Sequence, residues 1–356
     1  MAKIRVLVVD DSITVRKRLI DVIQADPDLQ VVGEAEDGKA AIAACERLRP
    51  DVVTLDMMLP VMTGLAATEY IMAHFPTPIL IISASTNRGE LFRTYDALAA
   101  GAVDVLEKPG EDEPVGEWEA KLLATVKLVS RIKVITHIRG KTRALPASVG
   151  LHPEPDRGAP AACQLVAIGA STGGPAALVE IFRSLPPTFP LPILLVIHIG
   201  ESFAAAFADW LDGLSALRVA YAKDGEPLPR PSQGRIIVAP PDRHLELRNG
   251  ALVLSHGPER HSCRPSVDVL FESLAREIGA RCAACLLTGM GKDGATGLLA
   301  LRRAGATTIA QDEATSVIFG MPQEAIRLGA AERVLPLGEI ARALKGLAPQ
   351  GSRRSS

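Results

Sequence analysis

Ile4-Arg5-Val6-Leu7-Val8-Val9-Asp10-Asp11 is a short apolar run that stops at two adjacent carboxylates. A continuous apolar run of this length reads as a strand buried on both faces, as in a parallel sheet. The pattern returns at 31–35, 51–55, 78–82 and 102–106. Between these runs, residues 14–25, 39–48, 65–75 and 89–100 have helical spacing. Strands alternating with helices of this length predict a doubly wound parallel sheet. A fifth helix, over 117–137, carries Leu122, Leu123, Val126, Val129, Ile132 and Ile135 on one broad face.

Residues 140–160 break the pattern, with four prolines, three glycines and no apolar periodicity, and read as a linker. Alternation resumes from Gln164. Strands are expected at 165–168, 192–199, 236–239, 283–287 and 307–310, and helices at 175–185, 266–278 and 294–304. A hairpin pairs 244–248 with 251–255 through Asn249-Gly250, a strong two-residue turn signal. The expected fold class is therefore α/β, with two doubly wound domains. The N-terminal one is a (βα)5 domain over 1–115. A helix and linker over 116–162 lead to a C-terminal three-layer α/β/α domain with a β-hairpin over 163–348. Residues 349–356 are expected to be a disordered tail.

The 356 residues are too many for one ordinary core, and 47% hydrophobic content with only 4% aromatics predicts aliphatic interiors. The net charge of −2 is unevenly spread. Residues 1–112 carry 11 Lys/Arg against 18 Asp/Glu, 113–160 carry 8 against 5, and 161–356 carry 20 against 18. That distribution gives no nucleic-acid signal, but an acidic first domain is expected to attract the net-positive remainder. Five cysteines in a long chain argue against a disulfide framework. Cys282-Ala-Ala-Cys285 has metal-ligand spacing, yet it lacks a second ligand pair and reads as buried strand thiols. Met1-Ala2-Lys3 runs straight into the first strand, so no signal peptide is expected, and no apolar run is long enough for a membrane span. A cytoplasmic protein without membrane insertion is expected.

Ligand chemistry in open α/β sheets gathers beyond the carboxyl ends of strands. Those ends hold Asp10 and Asp11, then Asp56, Ser83 and Lys108. Three carboxylates brought together repel one another unless a cation sits among them, and a hard ion such as Mg²⁺ suits oxygen donors. Asp56 then becomes a nucleophile toward a phosphoryl group, whose oxygens Ser83 and Lys108 would hold. Singly, Asp10 and Asp11 would read as helix caps; five such residues in order at four strand ends favour the site. This constellation resembles the receiver domain of two-component response regulators over about residues 3–112. The resemblance implies Asp56 as phospho-acceptor, Mg²⁺ on Asp10, Asp11 and Asp56, and Ser83 and Lys108 as phosphate-sensing residues. Val105 stands where receivers usually carry an aromatic switch residue, and Leu59 replaces the usual Met before Pro60.

In the second domain, Gly169-Ala170-Ser171-Thr172-Gly173-Gly174 follows a strand and opens a helix. A serine on such a turn is held out at the sheet edge, and the helix N-terminus offers amides to an oxyanion. A dinucleotide-binding turn would want an acidic residue at the end of the next strand, which here ends in His198. His198 closes the aliphatic run Ile193-Leu194-Leu195-Val196-Ile197 and is positioned to act as general base toward Ser171. Asp293, just past another strand, completes the set as orienter, its plainer reading being a helix cap. No histidine follows Asp293, so the usual hydrolase order of serine, acid, histidine fails for this acid. A rival built from Asp242 with His244, His256 or His261 survives formally, but those residues lie around the hairpin.

The long strings Ile168-Gly-Ala-Ser-Thr-Gly-Gly-Pro175, Asp242-Arg-His-Leu-Glu246, Arg264-Pro-Ser-Val-Asp-Val-Leu-Phe271, Thr288-Gly-Met-Gly291 with Asp293-Gly294, and Gln311-Asp-Glu-Ala314 with Phe319-Gly-Met-Pro322 resemble the chemotaxis protein-glutamate methylesterases over about residues 163–345. That resemblance implies Ser171 as nucleophile, His198 as base and Asp293 as orienter, with Thr172 and the turn at Met290 near the oxyanion. Arg264 and Asp268 match the family and are given packing or substrate-positioning roles. It further implies a phosphorylation-activated esterase that releases methanol from receptor glutamyl esters, deamidates receptor glutamines, and needs no cofactor for either. Partners implied are a sensor histidine kinase as phosphodonor and methyl-accepting chemoreceptors as substrate. Beside His198 the chain carries Ile197 and Ile199-Gly200 where the family has Gln and Met-Pro. Two alternatives follow: a phospho-regulated esterase of a non-motility pathway with another substrate, or a non-catalytic phospho-dependent scaffold.

Overall fold

The computed structural model describes residues 2–84, 87–109, 116–132, 134 and 162–348. The expected linker at 140–160 and tail at 349–356 lie outside the described residues. The first unit contains β1 (Ile4–Val9), α1 (Ile13–Ala25), β2 (Leu29–Ala35), α2 (Gly38–Leu48), β3 (Val52–Leu55), α3 (Gly64–His74), β4 (Ile79–Ser83), α4 (Arg88–Ala99), β5 (Asp104–Glu107) and α5 (Glu117–Val129). All five strands are parallel, in the order β2-β1-β3-β4-β5. Every residue of β3 and β4 is buried, which is what a strand covered by helices on both faces requires. Four helices begin on a side-chain cap: Ser12, Asp37, Thr63 and Asn87 accept from the amides of Val15, Ala40, Ala66 and Glu90. These caps fix where each loop at the carboxyl edge ends. α5 is shorter than the expected 117–137, ending at Val129.

The second unit contains β6 (Leu165–Ala170), α6 (Gly174–Ser184), β7 (Ile193–Ile197), α7 (Glu201–Leu214), β8 (Val219–Tyr221), β9 (Ile236–Val238), β10 (His244–Arg248), β11 (Ala251–Ser255), α8 (Val267–Glu277), β12 (Cys282–Leu286), α9 (Ala295–Arg303), β13 (Thr307–Gln311), α10 (Met321–Arg327), β14 (Arg333–Leu335) and α11 (Leu337–Leu347). Seven parallel strands run β14-β13-β12-β6-β7-β9-β8, and β10 pairs antiparallel with β11. Cys282 and Cys285 are buried thiols in β12, as expected. α7, β8, α10, β14 and α11 are additions to the elements read from sequence. Strand order reverses around β6: the chain steps to β7 on one side and later to β12 on the other. A crevice at such a reversal is where open α/β sheets hold ligands.

The two units meet through α4, which packs against α6 and α7. Tyr95 is fully buried there, its ring 5.5 Å from Phe207 and 5.1 Å from Trp210. The Trp210 indole donates to Asp96 at 2.9 Å. Thr172 donates to Asp104 at 3.0 Å, and the Ser202 hydroxyl donates to Glu107. The expected attraction between an acidic first domain and a positive remainder is therefore not how the units join. The first-unit acids meet neutral donors, and the ion pair across the boundary among the described residues, Arg88 with Asp209, has the opposite polarity. Aromatic burial and hydrogen bonds from uncharged donors to carboxylates do this work, so only one side of each contact brings a charge out of water.

Candidate functional site

At the carboxyl edge of the first sheet, Asp10 and Asp56 are buried and Asp11 is exposed. One oxygen from each lies within 4.8 Å of the others, a hard, all-oxygen donor set that fits Mg²⁺. Lys108 Nζ reaches in to Asp10 at 2.9 Å and Asp56 at 3.2 Å. Burial pushes the Asp56 carboxyl up, the Lys108 ammonium opposes that rise, and Asp10 adds to it. Burial also works against the charge on Lys108, but its two carboxylate partners hold it above its usual range. Ser83, at the end of β4, turns elsewhere: its hydroxyl donates to Glu90 Oε1 at 2.7 Å, and the same oxygen accepts from the Ala84 amide at 3.2 Å. Glu90 lies in the first turn of α4 and is buried. Sequence reading missed it, although Asn87-x-x-Glu90 is a capping-box spacing that marks the helix start.

In the second unit, Ser171 follows β6, His198 follows β7 and Asp293 lies past β12, so three adjacent strand ends carry the serine, histidine and aspartate. Gly173 sits at φ +78°, and a Cβ there would press within 2.5 Å of Val317. Gly289 has the opposite constraint: its missing side chain lets the loop after β12 lie against Ser171, whose Cβ would be 2.7 Å away. The Thr288 carbonyl accepts the Ser171 amide at 3.0 Å, and the Thr288 hydroxyl donates to the Thr172 carbonyl at 3.0 Å. That leaves the Thr172 and Gly173 amides, at the N-terminus of α6, without a hydrogen-bond partner among the described residues. They are the donors available to an oxyanion.

Asp293 is nearly fully buried and accepts from four groups. Ser266 Oγ donates at 2.7 Å, the Val267 amide at 2.6 Å, the Asp268 amide at 3.2 Å and His198 Nε2 at 2.9 Å. Burial works against its charge, but these donors, with the N-terminus of α8 among them, hold its carboxyl below the usual range. Asp293 does not cap the helix that follows it, since α9 starts on Gly294; it closes the start of α8 beside the Ser266 cap and holds the His198 ring. An ionised Asp293 only accepts, so in the neutral imidazole the His198 proton sits on Nε2 and the Nδ1 lone pair is bare. Burial opposes protonation of His198, but the Asp293 bond, with Cys263 adding to it, raises the imidazole to about 9. Ser171 Oγ makes no hydrogen bond among the described residues, and Cys263 Sγ lies 3.8 Å from Nδ1.

Ser171 and His198 open onto one cavity of about 330 Å³. Thr172, Cys263 and Arg264 are among the residues that line it from the second unit, and Leu98, Val103, Asp104 and Val105 form its wall from the first. Burial pushes the Asp104 carboxyl up, and the Val105 amide and Thr172 hydroxyl pull against that rise. Met290 is exposed and lines a neighbouring depression with Ser262, Cys263 and Lys292 rather than this cavity. Asp268 is buried, accepting from the Gly297 amide at 2.6 Å, and so ties α8 to α9. Asp242, His244, His256 and His261 are absent from the cavity lining, which leaves the rival set without geometric support. Cys263 and Asp104 were missed from sequence, since each acts on a residue more than 60 positions away.

A carboxylate pocket gripped by a lysine and a serine–histidine–aspartate crevice, on two α/β units, are the marks of a response-regulator hydrolase. Residues 6–116 match the response regulator receiver domain, and residues 166–344 match the CheB methylesterase family. The chain belongs to the CheB methylesterase family. It is 46% identical over 344 residues to protein-glutamate methylesterase/protein-glutamine glutaminase 2 of Anaeromyxobacter dehalogenans, covering 97% of each chain. A protein-glutamate methylesterase/protein-glutamine glutaminase of Nitrosospira multiformis is 46% identical over 348 residues, again covering 97% of each. Among solved structures, the Thermotoga maritima CheB methylesterase catalytic domain is 38% identical, with a TM-score of 0.49 over 52% of this chain and 100% of that one.

Proposed function

We propose that this chain is a phosphorylation-activated protein-glutamate methylesterase and protein-glutamine glutaminase acting on chemoreceptors in chemotaxis adaptation. The observation that carries this reading is the cavity shared by Ser171 and His198, with Asp293 holding the far nitrogen of the imidazole. Ser171 Oγ attacks the glutamyl ester carbonyl and passes its proton to His198 Nδ1. The Thr172 and Gly173 amides meet the developing oxyanion. His198 then protonates the departing methanol, and a water deprotonated by His198 releases the acyl group. A glutamine side chain follows the same course with ammonia leaving, and neither reaction calls on a cofactor. Ile199 and Gly200, which line the cavity in place of the family's Met-Pro, favour a second reading in which the ester differs from a receptor glutamyl ester.

The proposed boundaries are a receiver over 1–115, a helix and linker over 116–162 and a catalytic domain over 163–348. Asp56 is the phospho-acceptor, with a sensor histidine kinase as donor and the cytoplasm as the site of action. Asp10, Asp11 and Asp56 hold Mg²⁺, which when bound offsets the charge of carboxylates and phosphoryl oxygens together. Lys108 and Ser83 turn to those oxygens. Ser83 thereby leaves Glu90, and α4 loosens from α6 and α7, so that the wall of Leu98, Val103, Asp104 and Val105 withdraws from Ser171. Methanol release from methylated receptor membranes, with and without a small phosphodonor, tests the reading. Ser171→Ala should abolish release and Asp56→Asn should abolish stimulation only. Full activity in Ser171→Ala, or hydrolysis of generic esters but not of receptor, would reject the reading.

A further inference from the structure

His198 Nδ1 and Cys263 Sγ lie 3.8 Å apart, and both residues line the Ser171 cavity. A tetrahedral zinc ion about 2.3 Å from sulfur and about 2.0–2.1 Å from an imidazole nitrogen separates those atoms by about 3.6 Å. The pair therefore needs to close by only about 0.2 Å to chelate such an ion. On the far side of the ring, Nε2 donates to Asp293 at 2.9 Å. That is how metal-bound imidazoles are held, with the second nitrogen anchored on a carboxylate and the first left free to ligate. One ligand atom from each of His198, Cys263 and Asp293 lies within 4.8 Å of the others, although the four donors already on Asp293 make it the anchor rather than a ligand. Cys263 is half-buried, and Ser171 Oγ and solvent in the same cavity can fill the remaining positions.

We propose that His198 Nδ1 and Cys263 Sγ form a binding site for a thiophilic divalent cation of the zinc class, and that its occupancy silences the esterase. On binding, the Cys263 thiol proton and, where the imidazole is charged, the Nδ1 proton pass to solvent, a sulfur–metal bond forms, and the Nδ1 lone pair is donated to the metal; no electron is transferred. That lone pair is the one needed for the Ser171 proton, so the silencing rests on His198 being the base proposed above. Competing donor sets suit zinc less well. Asp10, Asp11 and Asp56 offer only oxygen. His261 Nε2 is engaged by Asp268 at 3.1 Å, in a group without sulfur. Burial pushes the thiols of Cys282 and Cys285 up, against metal binding.

The test titrates the full chain with zinc chloride in excess Mg²⁺, following hydrolysis, with each variant scaled to its own zinc-free rate. Zinc should suppress the wild type and a chelator should restore it. Cys263→Ala and Cys263→Ser should each need at least about tenfold more zinc, since outer partners alone are worth about 10–100-fold in metal affinity. His261→Ala should respond like the wild type. Cobalt(II) in place of zinc reports binding without reference to activity: a thiolate-to-cobalt charge-transfer band should appear in the wild type and be missing from both Cys263 variants. Equal zinc sensitivity with and without Cys263, or no Cys263-dependent cobalt band, overturns the site. A cobalt band with undiminished hydrolysis overturns His198 as the base instead, and with it the silencing.

Discussion

Replacing Asp96 by alanine should raise the basal activity of the unphosphorylated protein without touching either site. Asp96 lies on α4 and accepts the Trp210 indole proton at 2.9 Å. Trp210 is only 3% exposed, so in the closed arrangement the substitution leaves a buried N–H with no acceptor. In the open arrangement that N–H meets water, and the loss falls on the closed state alone. A hydrogen bond to a charged group is worth about 1.5–3 kcal/mol net, and each 1.4 kcal/mol is about tenfold in an equilibrium constant. The open fraction should therefore grow by about 10–150-fold, capped at the level of the fully phosphorylated wild type. Asp96→Asn keeps an acceptor oxygen and should show only a small part of the rise. The assay is methanol release from methylated receptor with and without phosphodonor, in parallel with hydrogen exchange of α4 and α7. Unchanged basal activity in Asp96→Ala, with the phosphodonor response still at its wild-type size, would refute a latch at this surface.

Three further outcomes follow from the same geometry. Asp293→Asn removes the charge that fixes the His198 proton on Nε2, so turnover should fall by about 10⁴-fold; circular dichroism should show α8 still folded, and a fall below tenfold would reject the orienter role. Glu90→Ala frees Ser83 and loosens the start of α4, so basal hydrolysis should rise while Asp56 phosphorylation persists, and an unaltered basal rate would remove Glu90 from the coupling. With a chelator present, the basal rate should climb by about tenfold per pH unit below a midpoint of about 9, because His198 is raised and must be neutral to accept the Ser171 proton. Cys263→Ala takes away one cause of that rise and should lower the midpoint; a rate already flat above about pH 6 would contradict the raised imidazole.

The parts of this molecule legible in the sequence are those written locally. β1, β10 and β11 match their expected bounds to the residue, because apolar runs and Asn249-Gly250 mark them without outside help. Asp10, Asp56, Ser171 and His198 stand out because each is a polar residue at the end of a buried strand. α7 was not legible for a physical reason. Phe203, Ala204, Ala206, Phe207, Ala208, Trp210 and Leu211 are all buried, since α7 is covered by its own sheet on one side and by α4 on the other. The exposed positions of α7 narrow to a stripe that includes Glu201, Ala205 and Asp209, so the apolar face is broader than one side of an ordinary surface helix. α11 was also not read, although Leu337, Ile340, Ala341 and Leu344 stand at plain helical spacing. Net charge misled at the domain boundary, since the units join through Thr172, Ser202 and Trp210, none of which carries charge.

Two short segments span the distance between the acid pocket and the serine crevice, and each has one end in both. On β5, Asp104 holds Thr172 and Glu107 accepts from Ser202, while Lys108, one residue further, is salt-bridged to Asp10 and Asp56. On α4, Glu90 holds Ser83, while Tyr95 and Asp96 hold Phe207 and Trp210 and Leu98 lines the cavity. In the proposed mechanism a phosphoryl group on Asp56 would recruit Lys108 and Ser83, and would therefore pull on both segments at once. Val105 needs no aromatic ring in this scheme. It already stands in the cavity wall, between the Asp104 that grips Thr172 and the strand end that carries Lys108. In the proposed mechanism its displacement would be the opening itself rather than a signal relayed to it, so a receiver could couple to its partner domain with valine at the usual aromatic position.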